Sequence, residues 1–177
     1  MTTMGCKRNG PRKPMQTSAA LWRKAAAKSG VHNGRMTRKQ LVAKIERLHP
    51  AYIRTRDGNQ CVICKELGRP MRGGPQCGHL FTRVNRSTRW DVTPDGNTFC
   101  QCAGCNQVHE YQPYHFIQWY IRKFGQEKLD ALFRRHNTVK NWSLEDLEDL
   151  LAFLRASEAG RSNIPPELRR DEKGKTL

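Results

Sequence analysis

The sequence predicts an α+β fold: a short β-hairpin and helix closed by paired cysteines, flanked by amphipathic helices and preceded by a basic arm. Three observations carry this. Two Cys-x2-Cys pairs, Cys61/Cys64 and Cys102/Cys105, stand 37 residues apart, room enough for a hairpin. Apolar residues recur at helical spacing on both sides of that interval. The positive charge is uneven: residues 1–60 carry a net +12 and residues 61–177 a net +4, within a total of +16.

Residues 1–16 mix Gly, Pro, Lys and Arg without an apolar period and read as a disordered basic arm. Residues 17–50 read as a basic helical DNA-binding segment. There SAALWRKAAAK (18–28) opens on a serine cap, and TRKQLVAKIERL (37–48) puts Leu41, Ile45 and Leu48 on one face. Two such helices about a GVHNG turn resemble the SAP-type helix-extended-loop-helix module.

Residues 51–125 form the expected core. After the first cysteine pair, KELGRPMRGGPQ (65–76) is a loop, QCGHLFTR a strand, and RWDVTPDGNTFCQC a turn and return strand. The segment PYHFIQWYIRKFG is an amphipathic helix closed by Gly125. Residues 126–158 add two helices, QEKLDALFRRHN and one capped by Ser143 that aligns Leu144, Leu147, Leu151 and Leu154. Residues 159–177, with Pro165-Pro166 and six charges in the last nine positions, read as a mobile tail.

Composition narrows the class of function. Thirty-two Lys and Arg against 16 Asp and Glu point to a polyanionic partner, because basic side chains that neutralise phosphates release counterions. No apolar run reaches the ~18 residues that span a bilayer, and MTTMGCKRNGPRKP lacks the apolar stretch of a signal peptide, so a soluble intracellular protein is expected. In a reducing compartment, closely spaced cysteines argue for metal over disulfides. Cys61, Cys64, Cys102 and Cys105 supply the four thiolates of a closed tetrahedral zinc. A knuckle, a hairpin, then a helix whose first turn holds the last ligands is a treble-clef arrangement. Cys77 and Cys100 lack partner spacing and read as hairpin residues, and Cys6 as incidental.

Between and just after the zinc cysteines lie Gly78-His79, Asn97, Asn106 and His109. Phosphodiester hydrolysis needs a base for water, and His titrates closest to neutrality. It also needs a divalent cation at the phosphate, and hard Mg²⁺ or Mn²⁺ prefers oxygen ligands such as an asparagine carbonyl. The set resembles an HNH, or ββα-metal, nuclease: His79 as base, Asn97 holding it across the hairpin, Asn106 on the cation.

The ordered strings QCGHLFTR, STRWD, NTFCQCAGCNQ and KFGQEKLDAL, spread over roughly residues 52–155, are similar to the NinG (Rap) family of lambdoid phage recombination endonucleases. The Cys-x2-Cys-Asn ending also resembles the phage resolvase endonuclease VII, in which the Asn after the last zinc cysteine binds the catalytic metal. The resemblance implies a metal-dependent, structure-specific endonuclease, encoded by a phage or prophage, that acts in the bacterial cytoplasm on branched DNA such as Holliday junctions and D-loops. Many HNH enzymes carry a metal-binding Asp directly before the catalytic His, where this chain has Gly78; Asp91 and His109 are the candidates to replace it. Arg83, Arg86 and Arg89 are candidates for holding phosphate, since guanidinium forks match phosphate oxygens. Cutting two opposed strands would suit a symmetric homodimer. The competing reading is a non-catalytic zinc treble-clef DNA-binding protein, which charge and cysteines fit equally.

Overall fold

The computed structural model describes residues 36–162. The expected arm at 1–16, the helix at 18–28 and the tail beyond 162 lie outside the described residues. The first described helix, α1 (Arg38–Arg56), starts with a capping box: Thr37 Oγ1 accepts from Gln40 N, and Gln40 Oε1 accepts from Thr37 N. Its buried stripe is Leu41, Ile45, Leu48, His49 and Ile53. The sequence places a segment boundary at Pro50, yet the helix continues through it. Interior proline costs a helix about 3 kcal/mol. Here Ile53 extends the apolar stripe by one more turn, and its burial at 0% exposure offsets that penalty. The helix therefore belongs to the core rather than to a separate segment.

A five-residue helix α2 (Val62–Glu66) follows, then β1 (Pro75–His79) and β2 (Thr98–Cys102), which pair antiparallel with Gly78 opposite Phe99 and Gln76 opposite Gln101. Helix α3 (Ala103–Tyr111) begins at the residue after β2 ends, so Cys102 both finishes the strand and caps the helix. Helices α4 (Tyr114–Phe124) and α5 (Gln126–His136) meet at Gly125, whose φ of 89° suits glycine. The last helix, α6 (Leu144–Ser162), opens with Ser143 Oγ accepting from Asp146 N while Asp146 accepts from Ser143 N, and it runs past the expected limit at 158.

Two apolar clusters result. One gathers the hairpin, the cysteines, α4 and α5 around Phe99, whose ring meets those of Phe116, Trp119, Tyr120 and Phe124. The other joins α1 to α6 through Leu41, Ile45, Leu147, Leu150, Leu151 and Leu154, with Trp90 against Trp142. The expected α6 stripe included Leu144, which is 48% exposed; Leu150 takes its share because the packed face spans more than a single 3-4 row. At the end of α1, Arg56 donates to the carbonyls of Thr93 and Thr98, and Asp57 accepts from Cys100 N, so α1 grips β2 directly. No described helix is long and apolar enough to cross a membrane.

Candidate functional site

The four expected cysteines come together. One sulfur from each of Cys61, Cys64, Cys102 and Cys105 lies within 4.8 Å of the others, all buried, and Cys64 Sγ stands 3.8 Å from Cys102 Sγ and 3.6 Å from Cys105 Sγ. Bonds of ~2.3 Å in a tetrahedral zinc-thiolate centre put sulfurs ~3.8 Å apart, so this donor set could hold zinc as it stands. Arg69 Nη2 donates to Cys105 Sγ at 3.4 Å, which offsets thiolate charge. Cys77 and Cys100 pair across the hairpin outside this set, and burial pushes both thiols up to about 12.

Strand alternation then divides the hairpin into two faces. On one, His79 and Cys77 face α1 and line a cleft of about 60 Å³ with Glu46, His49, Arg83, Arg89 and Trp90. His79 Nε2 donates to the Arg89 carbonyl at 3.0 Å, which leaves the lone pair on Nδ1. Burial holds the ring's pKa below the ordinary 6.5, helped by Arg83 and Arg89 and opposed by the Arg89 carbonyl and Glu46. His79 is thus neutral at pH 7. Deeper in, His49 donates to the Asp91 carbonyl, and burial lowers its pKa to about 3.

The other face meets α3. Asn106 Nδ2 donates to Gln76 Oε1 at 3.0 Å, and its Oδ1 is aimed at Gly78: a Cβ there would stand 2.9 Å from it. The same Cβ would stand 1.8 Å from Gln101 Oε1. Gly78 therefore has no room for a side chain, and the carboxylate expected before His79 has no place. His109, one turn beyond Cys105, donates from Nε2 to the Leu80 carbonyl at 3.1 Å, while its buried Nδ1 has no partner among the described residues. It shares a cavity of about 370 Å³ with Gln101, Arg69, Arg72 and Trp119. His79 and Asn106, expected as base and cation ligand of one site, lie on opposite faces of β1 because Gly78 and His79 are consecutive and consecutive strand residues alternate.

Asp91, a candidate cation ligand, is committed elsewhere. Its Oδ1 accepts from Thr93 N and Oγ1, its Oδ2 from Asn97 N, and it pairs with Arg135. Its side chain is 3% exposed, and a Cβ at Gly96 would stand 2.5 Å from its carboxyl carbon. A carboxylate so closely wrapped fixes the turn before β2 instead of reaching the site. Asn97 acts one step from its expected target. Its Oδ1 accepts from Phe81 N, and its Nδ2 donates to the carbonyls of Phe81 and Thr88, clasping the loop whose next residue, Arg89, holds His79.

Of the three arginines, Arg83 and Arg89 pair with Glu46 at 3.1 and 2.8 Å, and Trp90 Nε1 donates to the same carboxylate at 2.7 Å. Arg86 is exposed, and its carbonyl accepts from Trp142 Nε1.

The chain matches the family model described as bacteriophage lambda NinG protein over residues 7–159. The chain belongs to the NinG family. No curated protein and no solved structure gives a match. Sequence reading of this NinG-family chain missed Glu46, which lies on a helix far from the hairpin in the sequence. It also missed Gln101, although period-two counting from Gly78 through its partner Phe99 puts Gln101 on the Gly78 face.

Proposed function

We propose that this protein is a metal-dependent endonuclease that cleaves branched DNA, such as a Holliday junction or D-loop, in phage recombination within the bacterial cytoplasm. One observation carries the reading: His79 and Gly78, which Asn106 Oδ1 faces, are adjacent in β1, whose outer edge pairs with no strand among the described residues. A phosphodiester laid along that edge meets an imidazole from one face and an amide oxygen from the other.

His79 suits removal of a proton from water. The Arg89 carbonyl fixes the tautomer with Nδ1 as acceptor, and the lowered pKa keeps that acceptor unprotonated at neutral pH. Asn97 secures the loop on which that orientation depends. Arg83, Arg86 and Arg89 hold phosphate oxygens, the first and last exchanging Glu46 for DNA as it docks. A divalent Mg²⁺ or Mn²⁺, when bound, offsets charge on the scissile phosphate, with Asn106 Oδ1 among its oxygen donors. The hairpin leading straight into a helix with the last two cysteines supports reading the core as a zinc-bound treble clef of the ββα-metal type.

A labelled four-way junction and a matched linear duplex, each incubated with zinc-loaded protein and Mg²⁺ or EDTA, test the reading. Cleavage of the junction with Mg²⁺ alone is expected. Absence of cleavage of branched, linear and single-stranded DNA, with tight binding retained, would instead favour the non-catalytic DNA-binding protein. The ion pairs of Glu46 with Arg83 and Arg89, which draw guanidinium groups away from the hairpin edge, are the observation on that side.

A further inference from the structure

Gln101 sits 1% exposed in β2, one residue before Cys102, and its Oε1 is buried with no hydrogen-bond partner among the described residues. Buried polar atoms are rarely left so, because desolvation without a replacement bond is costly. The orphaned oxygen lies 1.8 Å from the point where a Gly78 Cβ would be, and Asn106 Oδ1 lies 2.9 Å from the same point. Two carbonyl oxygens, each with lone pairs to give, thus converge on one spot beside the strand. The orientation of the second is fixed by its own amide nitrogen, which donates to Gln76 Oε1. Converging carbonyl oxygens are a cation's ligands in chemical kind, the hard donors that a small divalent ion prefers.

We propose that Gln101 Oε1 takes the place of the carboxylate that Gly78 cannot carry and, with Asn106 Oδ1, forms the oxygen pair that receives the divalent cation. This rests on the metal-dependent reading of the site above. Gly78 is then the complement of Gln101: a side chain at 78 and the Gln101 oxygen compete for one volume. Both ligands are neutral, so the protein alone attracts the cation weakly, and the substrate's phosphate supplies the missing negative charge. Cation and branched DNA should bind each other's complexes more tightly than the free protein.

The test is Mn²⁺ binding followed by water-proton relaxation on the zinc-loaded full chain, with and without a junction carrying phosphorothioate linkages that resist cleavage. Wild type should bind one Mn²⁺ more tightly when the junction is present. Gln101→Leu, which keeps the shape and removes the oxygen, should weaken Mn²⁺ at least tenfold, and Gln101→Glu should tighten it about tenfold. Gly78→Asp should disrupt binding alone and restore it when combined with Gln101→Ala. Zinc content and melting temperature identify any variant that fails to fold; if Gln101→Leu is one, Gln101→Glu decides. Unchanged Mn²⁺ affinity in folded Gln101→Leu or in Gln101→Glu, as expected if the Gln101 amide only hydrogen-bonds Asn106, overturns the proposal, as does failure of wild type to bind Mn²⁺ with the junction present. Junction cleavage with unchanged affinity in Gln101→Leu would remove the ligand and leave the nuclease. Mn²⁺ binding that follows Gln101 in a protein that cuts nothing would leave the ligand and remove the nuclease.

Discussion

The two faces of the hairpin carry different chemistry on one backbone. The face towards α1 is ionic: His79 sits among Glu46, Arg83 and Arg89, its Nε2 held by the Arg89 carbonyl and both arginines paired with Glu46. The face towards α3 presents unpaired lone pairs beside Arg69 and Arg72: Gln101 Oε1 and His109 Nδ1 are buried without partners among the described residues, and Asn106 Oδ1 points at the empty side of a glycine. The ionic face is bound up in charge pairs, and on the proposed reading it handles protons and phosphate. The α3 face has lone pairs to spare, which is what a cation needs. The proposed nuclease uses both, and alternation along β1 keeps His79 from becoming a ligand.

The largest expected effect removes both faces together. Cys102 ends β2 and caps α3, so Cys102→Ser breaks the zinc set where strand meets helix. Structural zinc contributes on the order of 10 kcal/mol to small domains. The variant should lose zinc by elemental analysis and lose its cooperative melt; a folded, zinc-free protein would remove the metal as the hairpin's foundation.

Asp91 separates structure from ligation. Asp91→Asn leaves a part-exposed Arg135 without its carboxylate and turns an amide NH2 towards the donors of Thr93 or Asn97, and losing hydrogen bonds to a charged acceptor costs about 2–3 kcal/mol. Denaturant melts should report that loss while Mn²⁺ affinity stays unchanged. A fall in Mn²⁺ affinity without loss of stability would return Asp91 to the cation.

These contrasts show what the sequence made legible. Helix limits set by local chemistry were readable: the Ser143 cap, the Gly125 break and the stripe on α1 all act within a few residues. The cysteine pairs were readable because zinc geometry dictates their spacing. The exposed Leu144 and the helix running through Pro50 were not, since packing of α6 on α1 decided the first and burial of Ile53 the second. Within the site, residue types at His79, Asn97 and Asn106 were visible, but their faces depend on hairpin register. Glu46 and Arg135 reach the hairpin across 37 to 44 residues, and no local pattern announces such contacts.

A smaller effect comes from acid. The folded protein holds His49 at about 3 against an ordinary 6.5, so the unfolded chain takes up the extra proton between those values. Stability contributed by neutral His49 is full above about pH 6.5 and falls as pH drops, on the order of 2 kcal/mol by about pH 5. His49→Gln, which can still donate to the Asp91 carbonyl, should lose less between pH 7.5 and 5 than wild type does. Parallel losses in both proteins would assign the acid sensitivity to other groups.

The smallest effect tunes the ionic face. Glu46→Gln frees Arg83 and Arg89 for phosphate and should raise junction affinity a few-fold, with a steeper fall as salt increases. Unchanged affinity and slope in fluorescence anisotropy titrations would mean that these arginines do not meet DNA.

The division of labour itself is tested most directly by single-turnover junction cleavage measured across Mg²⁺ concentration for wild type, His79→Ala and Asn106→Ala. Loss of a general base typically costs ~10²- to 10⁴-fold, so His79→Ala should lower the plateau rate by about that factor and leave the half-saturating Mg²⁺ concentration where it was. Asn106→Ala should raise the half-saturating concentration and recover much of its rate at high Mg²⁺. A His79→Ala protein that cuts at the wild-type rate, or an Asn106→Ala protein with unchanged Mg²⁺ dependence, would contradict the account.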